Sequence, residues 1–136
     1  MPWYSKFATW LMPFYKNIAM KKIYFLGSCS TCVRIMKELG VDDSWRQQDI
    51  KTEKITTSQI EEMESLSGSY DSLFSRRAMK FKSMGLKEKS LSEADYKKLI
   101  LDEYTFLKRP VIILENKIFI GNSKQVVTSV KEELNA

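Results

Sequence analysis

The chain has 136 residues, a net charge of +5, 43% apolar and 29% charged residues, which is the size and composition of one soluble globular domain that needs no disulfides to fold. The charge is too small and too dispersed for a direct nucleic-acid binder, and no apolar run reaches the roughly 18 residues of a membrane span. Histidine is absent, which excludes Ser–His and Cys–His nucleophile arrangements, and two cysteines cannot fill a four-ligand structural zinc site.

Residues 1–20 (MPWYSKFATWLMPFYKNIAM) form an aromatic-rich extension. Trp3, Phe7, Trp10, Phe14 and Ile18 recur at helical spacing. Pro13 interrupts the stripe and no small-residue cleavage site follows, so the segment makes a poor signal peptide. The favoured expectation is an extension that packs on the body or stays loose; a membrane-surface anchor is the lesser alternative. Met20 is a candidate natural start, since residues 21–136 read as a single domain.

That domain opens with KIYFLG at 22–27, a buried strand. Cys29-Ser-Thr-Cys32 begins a helix with Val33, Met36 and Leu39 on one face, ended by Gly40. Residues 45–50 read as a second strand, completing a βαβ unit with a parallel pair. A helical insert follows, at about 51–105. Ser58 and Glu61 form a capping-box pattern before a helix that Gly68 stops. Residues 70–85 read as a short helix and a turn, and Ser90 and Glu93 form a second capping box. Val111 to Leu114 and Lys117 to Ile120 make a hairpin around Asn116, with Pro110 at its entrance, where a missing N–H is tolerated. Residues 123–134 close the chain as a helix with Val126, Val127, Val130 and Leu134 on its apolar face. The order βαβ…ββα predicts an α/β fold of the thioredoxin/glutaredoxin type with a helical insertion.

A C-x-x-C beside a βαβ unit is a redox signature, and the cysteine usage fits a reducing, cytoplasmic setting. Cys29 is predicted at a helix N-terminus, where unpaired N–H groups and the helix dipole favour a thiolate. Cys32 lies one turn on, placed to attack a mixed disulfide formed at Cys29. Small Ser30 and Thr31 leave the mouth open and can donate hydrogen bonds. The alternatives are two inert core cysteines, or half of a zinc site shared across a dimer. Arg76, Arg77, Lys80 and Lys82 form a basic cluster with no acid between 72 and 85. Together with Arg109 they make either a solvated face or a cradle for an oxyanion or a glutathione carboxylate, a task that suits the guanidinium fork.

The segments KKIYFLGSCSTCVRIMKELG, LFSRRAMKFKSMGLKEKSLSEADYKKLI and FLKRPVIILENKIFIGN resemble the arsenate reductase family, the ArsC and Spx group, over residues 21–134. The resemblance implies a thioredoxin-like core and a catalytic role for Cys29. It implies substrate binding by Arg77, with Arg76 as the neighbouring candidate, and by Arg109 before a cis Pro110 that shapes the cleft. It implies a small oxyanion such as arsenate, or a disulfide, as substrate. No bound cofactor is expected, and glutathione with glutaredoxin, or thioredoxin, would be the electron donor. The glutathione-linked reductases lack a second cysteine and carry a third arginine after the hairpin, where this chain reads Gly121-Asn122-Ser123. The C-x-x-C instead resembles Spx, which implies the alternative of a redox-sensing regulator that binds RNA polymerase through a Cys29–Cys32 disulfide switch.

Overall fold

The computed structural model describes residues 18–136, so the expectations for residues 1–17, including the stripe from Trp3 to Phe14, lie outside the described residues. Four strands form one sheet: β1 (Lys21–Phe25), β2 (Arg46–Asp49), β3 (Val111–Leu114) and β4 (Lys117–Ile120), in the order β2-β1-β3-β4. β1 and β2 are parallel, joined by helix α1 (Ser30–Leu39). β3 runs antiparallel to β1, and β4 to β3. The insert carries α2 (Thr57–Ser67), a short α3 (Met79–Ser83), α4 (Glu93–Asp102) and three 3-10 turns. Helix α5 (Lys124–Asn135) closes the chain.

Side chains alternate across a strand, and here the alternation separates two cores. Ile23, Ile112 and Leu114 face one side and pack with Trp45, Val130 and the apolar faces of α1 and α5. Tyr24, Val111 and Ile113 face the other and pack under the insert, against Ile60, Met63, Phe74, Ile100 and Phe106. The four residues of β3 are all buried, as a central strand covered on both faces requires.

Two helix starts differ from expectation. The cap of α2 is Thr56, which accepts from the Gln59 amide while the Gln59 side chain returns to the Thr56 amide, so Ser58 lies inside the helix. The cap of α4 is Ser92 paired with Asp95, so Ser90 lies before it. In both cases overlapping motifs compete, and at α2 the Thr56 box wins with a partner, Gln59, that Gln48 of β2 also holds. The stop signals stand: Gly40 and Gly68 are left-handed, with φ of 68° and 96°.

The last residues of the extension are tied to the body. Ile18 packs into the α1–α5 core. The Ala19 amide donates to Glu115 Oε1 at 2.6 Å, and the Glu115 amide donates to the Met20 carbonyl at 2.9 Å. These bonds hold Glu115 at φ 54° in the hairpin turn, a left-handed position that a non-glycine residue takes only when its surroundings impose it.

Candidate active site

Cys29 is the N-cap of α1, with extended φ and ψ of −92° and 111°. Its amide donates to the Leu26 carbonyl at 3.0 Å, which turns the chain from β1 into the helix. Cys29 is half-buried and Cys32 fully buried, both as free thiols. Burial opposes ionisation of Cys29, but the Cys32 amide and thiol, the Thr31 amide and the Arg109 charge together outweigh it and hold its pKa below the ordinary thiol value. Burial pushes Cys32 up to about 11, and the negative charge of Cys29 adds to that. The surroundings thus favour the thiolate at Cys29 and the neutral thiol at Cys32.

Cys29 opens onto a cleft of about 500 Å³, whose basic side chains are Arg76, Arg77, Lys108 and Arg109. Two loops form this basic wall. The bridge between Phe74 and Leu107 joins them, with the Ser75 amide on the Phe106 carbonyl at 2.7 Å and the Lys108 amide on the Leu73 carbonyl at 2.8 Å. The insert is thereby sewn to the loop before β3, which sets Arg77 beside the cysteine helix. The Arg109–Pro110 bond is cis, as the resemblance implied. Arg109 Nη1 donates to the Thr105 and Leu107 carbonyls, each at 3.3 Å, and its Nε is sealed from solvent without a partner.

The two neighbouring arginines differ. Arg76 Nη2 donates to Asp71 Oδ1 at 2.7 Å and to the Tyr96 hydroxyl at 2.9 Å, and the guanidinium lies over the Phe74 and Tyr96 rings. Arg77 makes no ion pair or hydrogen bond among the described residues. Ser30 lies outside the cleft, in a shallow hollow with Gly27, Ser28, Val33, Arg34 and Lys37. Thr31 contributes its amide to Cys29, and neither it nor the buried Pro110 lines the cleft.

Sequence reasoning missed Lys108 and the 121–123 loop. Ser123 is the N-cap of α5, accepting from the Val126 amide at 3.1 Å, and it lines the cleft with Gly121 and Asn122. Two helix N-termini therefore face one cleft, and their dipoles add. The cap pattern at Ser123 was readable, but its convergence with Cys29 needs the sheet. Among the described residues no cluster of His, Cys, Asp and Glu is suited to a metal, and no helix is long and apolar enough to cross a membrane.

The model of the ArsC family matches residues 24–130. Among solved structures, a possible arsenate reductase from Streptococcus mutans is 28% identical, with TM-score 0.61 over 78% of this chain and 92% of its own. A Staphylococcus aureus protein is 24% identical, with TM-score 0.64 over 81% and 97%. An arsenate reductase from Vibrio cholerae, at 13% identity, has TM-score 0.70 over 84% and 99%, a likeness of fold alone. No curated protein sequence matches.

Proposed function

The chain belongs to the ArsC family, and from that premise we propose that it is a thiol-dependent oxidoreductase with Cys29 as nucleophile. The observation that carries this reading is the depressed thiol of Cys29 on a helix cap, opening into a basic cleft. With arsenate, the Cys29 thiolate attacks arsenic and water leaves. Arg77 and Arg109 offset the charge of the adduct. A second thiol, Cys32 or glutathione, then attacks the Cys29 sulfur. The electron pair of the sulfur–arsenic bond stays on arsenic, which leaves as arsenite, and a disulfide remains. With a disulfide substrate, Cys29 forms the mixed disulfide and Cys32 resolves it.

Burial dominates the raised pKa of Cys32, but part of the rise comes from the Cys29 charge. That part vanishes once Cys29 is in an adduct, so Cys32 becomes easier to ionise when it is needed. Glutaredoxin with glutathione, or thioredoxin, would return the dithiol state, which fits a reducing cytoplasm. The polymerase-binding regulator would use the same cysteine pair, and no separate observation favours it.

The test is arsenate-dependent NADPH oxidation, run with glutathione–glutaredoxin and with thioredoxin–thioredoxin reductase. Cys29→Ser abolishes turnover if the reading holds, and Arg77→Ala lowers kcat/KM roughly ten- to hundred-fold, the loss expected for a charge-assisted contact. The donor that works shows whether Cys32 or glutathione resolves. Full activity in Cys29→Ser defeats the mechanism, and inactivity of the native protein with both donors defeats arsenate as substrate.

A further inference from the structure

A second polar cavity, of about 250 Å³, lies away from Cys29 and is lined by Lys22, Tyr24, Arg46, Ser58, Gln59 and Glu62. Lys22 and Arg46 are register partners on the parallel strands β1 and β2. Like charges set directly opposite one another weaken a sheet, so the pair calls for a counter-charge. Glu62 supplies one to Lys22, with its two oxygens at 3.2 and 3.3 Å from Nζ. Arg46 has no hydrogen bond or ion pair among the described residues. Lys22 and Arg46 against Glu62 leave one net positive charge in the lining.

The other walls add donors. Tyr24 is 3% exposed, and its hydroxyl has no hydrogen-bond partner among the described residues. The hydroxyl opens onto the cavity, where it can donate to a ligand. Gln59 is already committed: its carboxamide exchanges hydrogen bonds with Gln48 at 2.7 and 3.0 Å and also receives the Thr56 amide. That lock leaves the Tyr24 and Ser58 hydroxyls and the Arg46 guanidinium with unused donors. Ser58 and Glu62, one turn apart on α2, set the side of that helix against the cavity and put the Ser58 hydroxyl in its lining.

We propose that this cavity is a second anion site, which takes a small phosphate-class oxyanion between Arg46, the Tyr24 hydroxyl and the Ser58 hydroxyl. It is separate from the thiol cleft and does not depend on the proposed reaction. The ligand completes Tyr24 and Arg46 at once, and Lys22, neutralised by Glu62, forms the wall. The small net charge makes binding weak in high salt and measurable at low ionic strength.

The experiment is a titration of the Cys29→Ser protein with inorganic phosphate, against sodium chloride at matched ionic strength, followed by amide and arginine side-chain NMR shifts. Saturable shifts at Tyr24, Arg46 and Ser58 are expected with phosphate and not with chloride. Arg46→Gln, a surface change that leaves the core intact, should weaken binding roughly ten-fold or more, and Tyr24→Phe, which keeps the buried ring, roughly three-fold or more. Shifts confined to the Cys29 and Arg109 cleft, shifts that never saturate, or equal affinity in Arg46→Gln would each overturn the site.

Discussion

The chemistry of the cleft depends on a difference between two like residues three positions apart. Cys29 and Cys32 share a motif, but Cys29 caps the helix, whereas Cys32 is 0% exposed inside it. Alkylation of Cys29 by iodoacetamide should therefore rise with pH through a midpoint below the free-thiol value of roughly 8.5. Cys32 in the native fold should stay unmodified until near its pKa of about 11. Mass mapping after a timed pulse reads both; equal rates at neutral pH would contradict the assigned environments. Arg76 and Arg77 part in the same way. Asp71, Tyr96 and two aromatic rings occupy Arg76, so it braces the loop that carries Arg77. The ion pair of Arg76 is half-exposed and contributes little by itself, about 0.2–1 kcal/mol.

At the scale of elements, capping chemistry decides where helices begin. Thr56 and Gln59 satisfy each other's backbone groups at the start of α2, and Gln59 also locks Gln48 of β2, which is 3% exposed. Thr56→Ala should cost about 1 kcal/mol, whereas Ser58→Ala, inside the helix, should stay within roughly 0.5 kcal/mol of the native protein. Urea unfolding of the two variants tests this, and the reverse order would restore Ser58 as the cap. The hairpin shows how a local signal and a tertiary tether combine. Asn116 marks the turn in the sequence, but Glu115 takes the left-handed position, held by residues 19 and 20.

Across the whole molecule, one sheet separates two cores, and burial holds two titratable groups in their neutral forms. Tyr24 lies under the insert, where burial, then Glu62, pushes its pKa to about 12. Cys32 is held near 11, again chiefly by burial. Both folded values exceed those of the unfolded chain, so their contribution to stability is complete below the unfolded values, roughly 8.5 for Cys and 10 for Tyr. It is lost as pH climbs through about 11 and 12. Cys29 has the opposite sign, since its pKa is lowered. The urea midpoint should accordingly fall in alkaline solution, and fall less in a Cys32→Ser, Tyr24→Phe double variant. An identical fall in both proteins would assign the alkaline loss to other groups.

The sequence by itself determined the elements and their order, because apolar period, glycine stops and the proline entrance are local signals that act within a few residues. It also determined the nucleophile candidate, because C-x-x-C after a strand places Cys29 on a helix cap. The choice of Thr56 over Ser58 as the cap of α2 was in part a tertiary decision, because Gln59, which completes the box, is also held by Gln48 of β2. So was the division of labour between Arg76 and Arg77, which turns on Asp71 and Tyr96 and on a bridge from Phe74 to Leu107. The second helix N-terminus at Ser123 and the pairing of Lys22 with Arg46 likewise arise only when the sheet brings distant segments together. No window of sequence contains both partners of such a contact; the β2-β1-β3-β4 order brings them together.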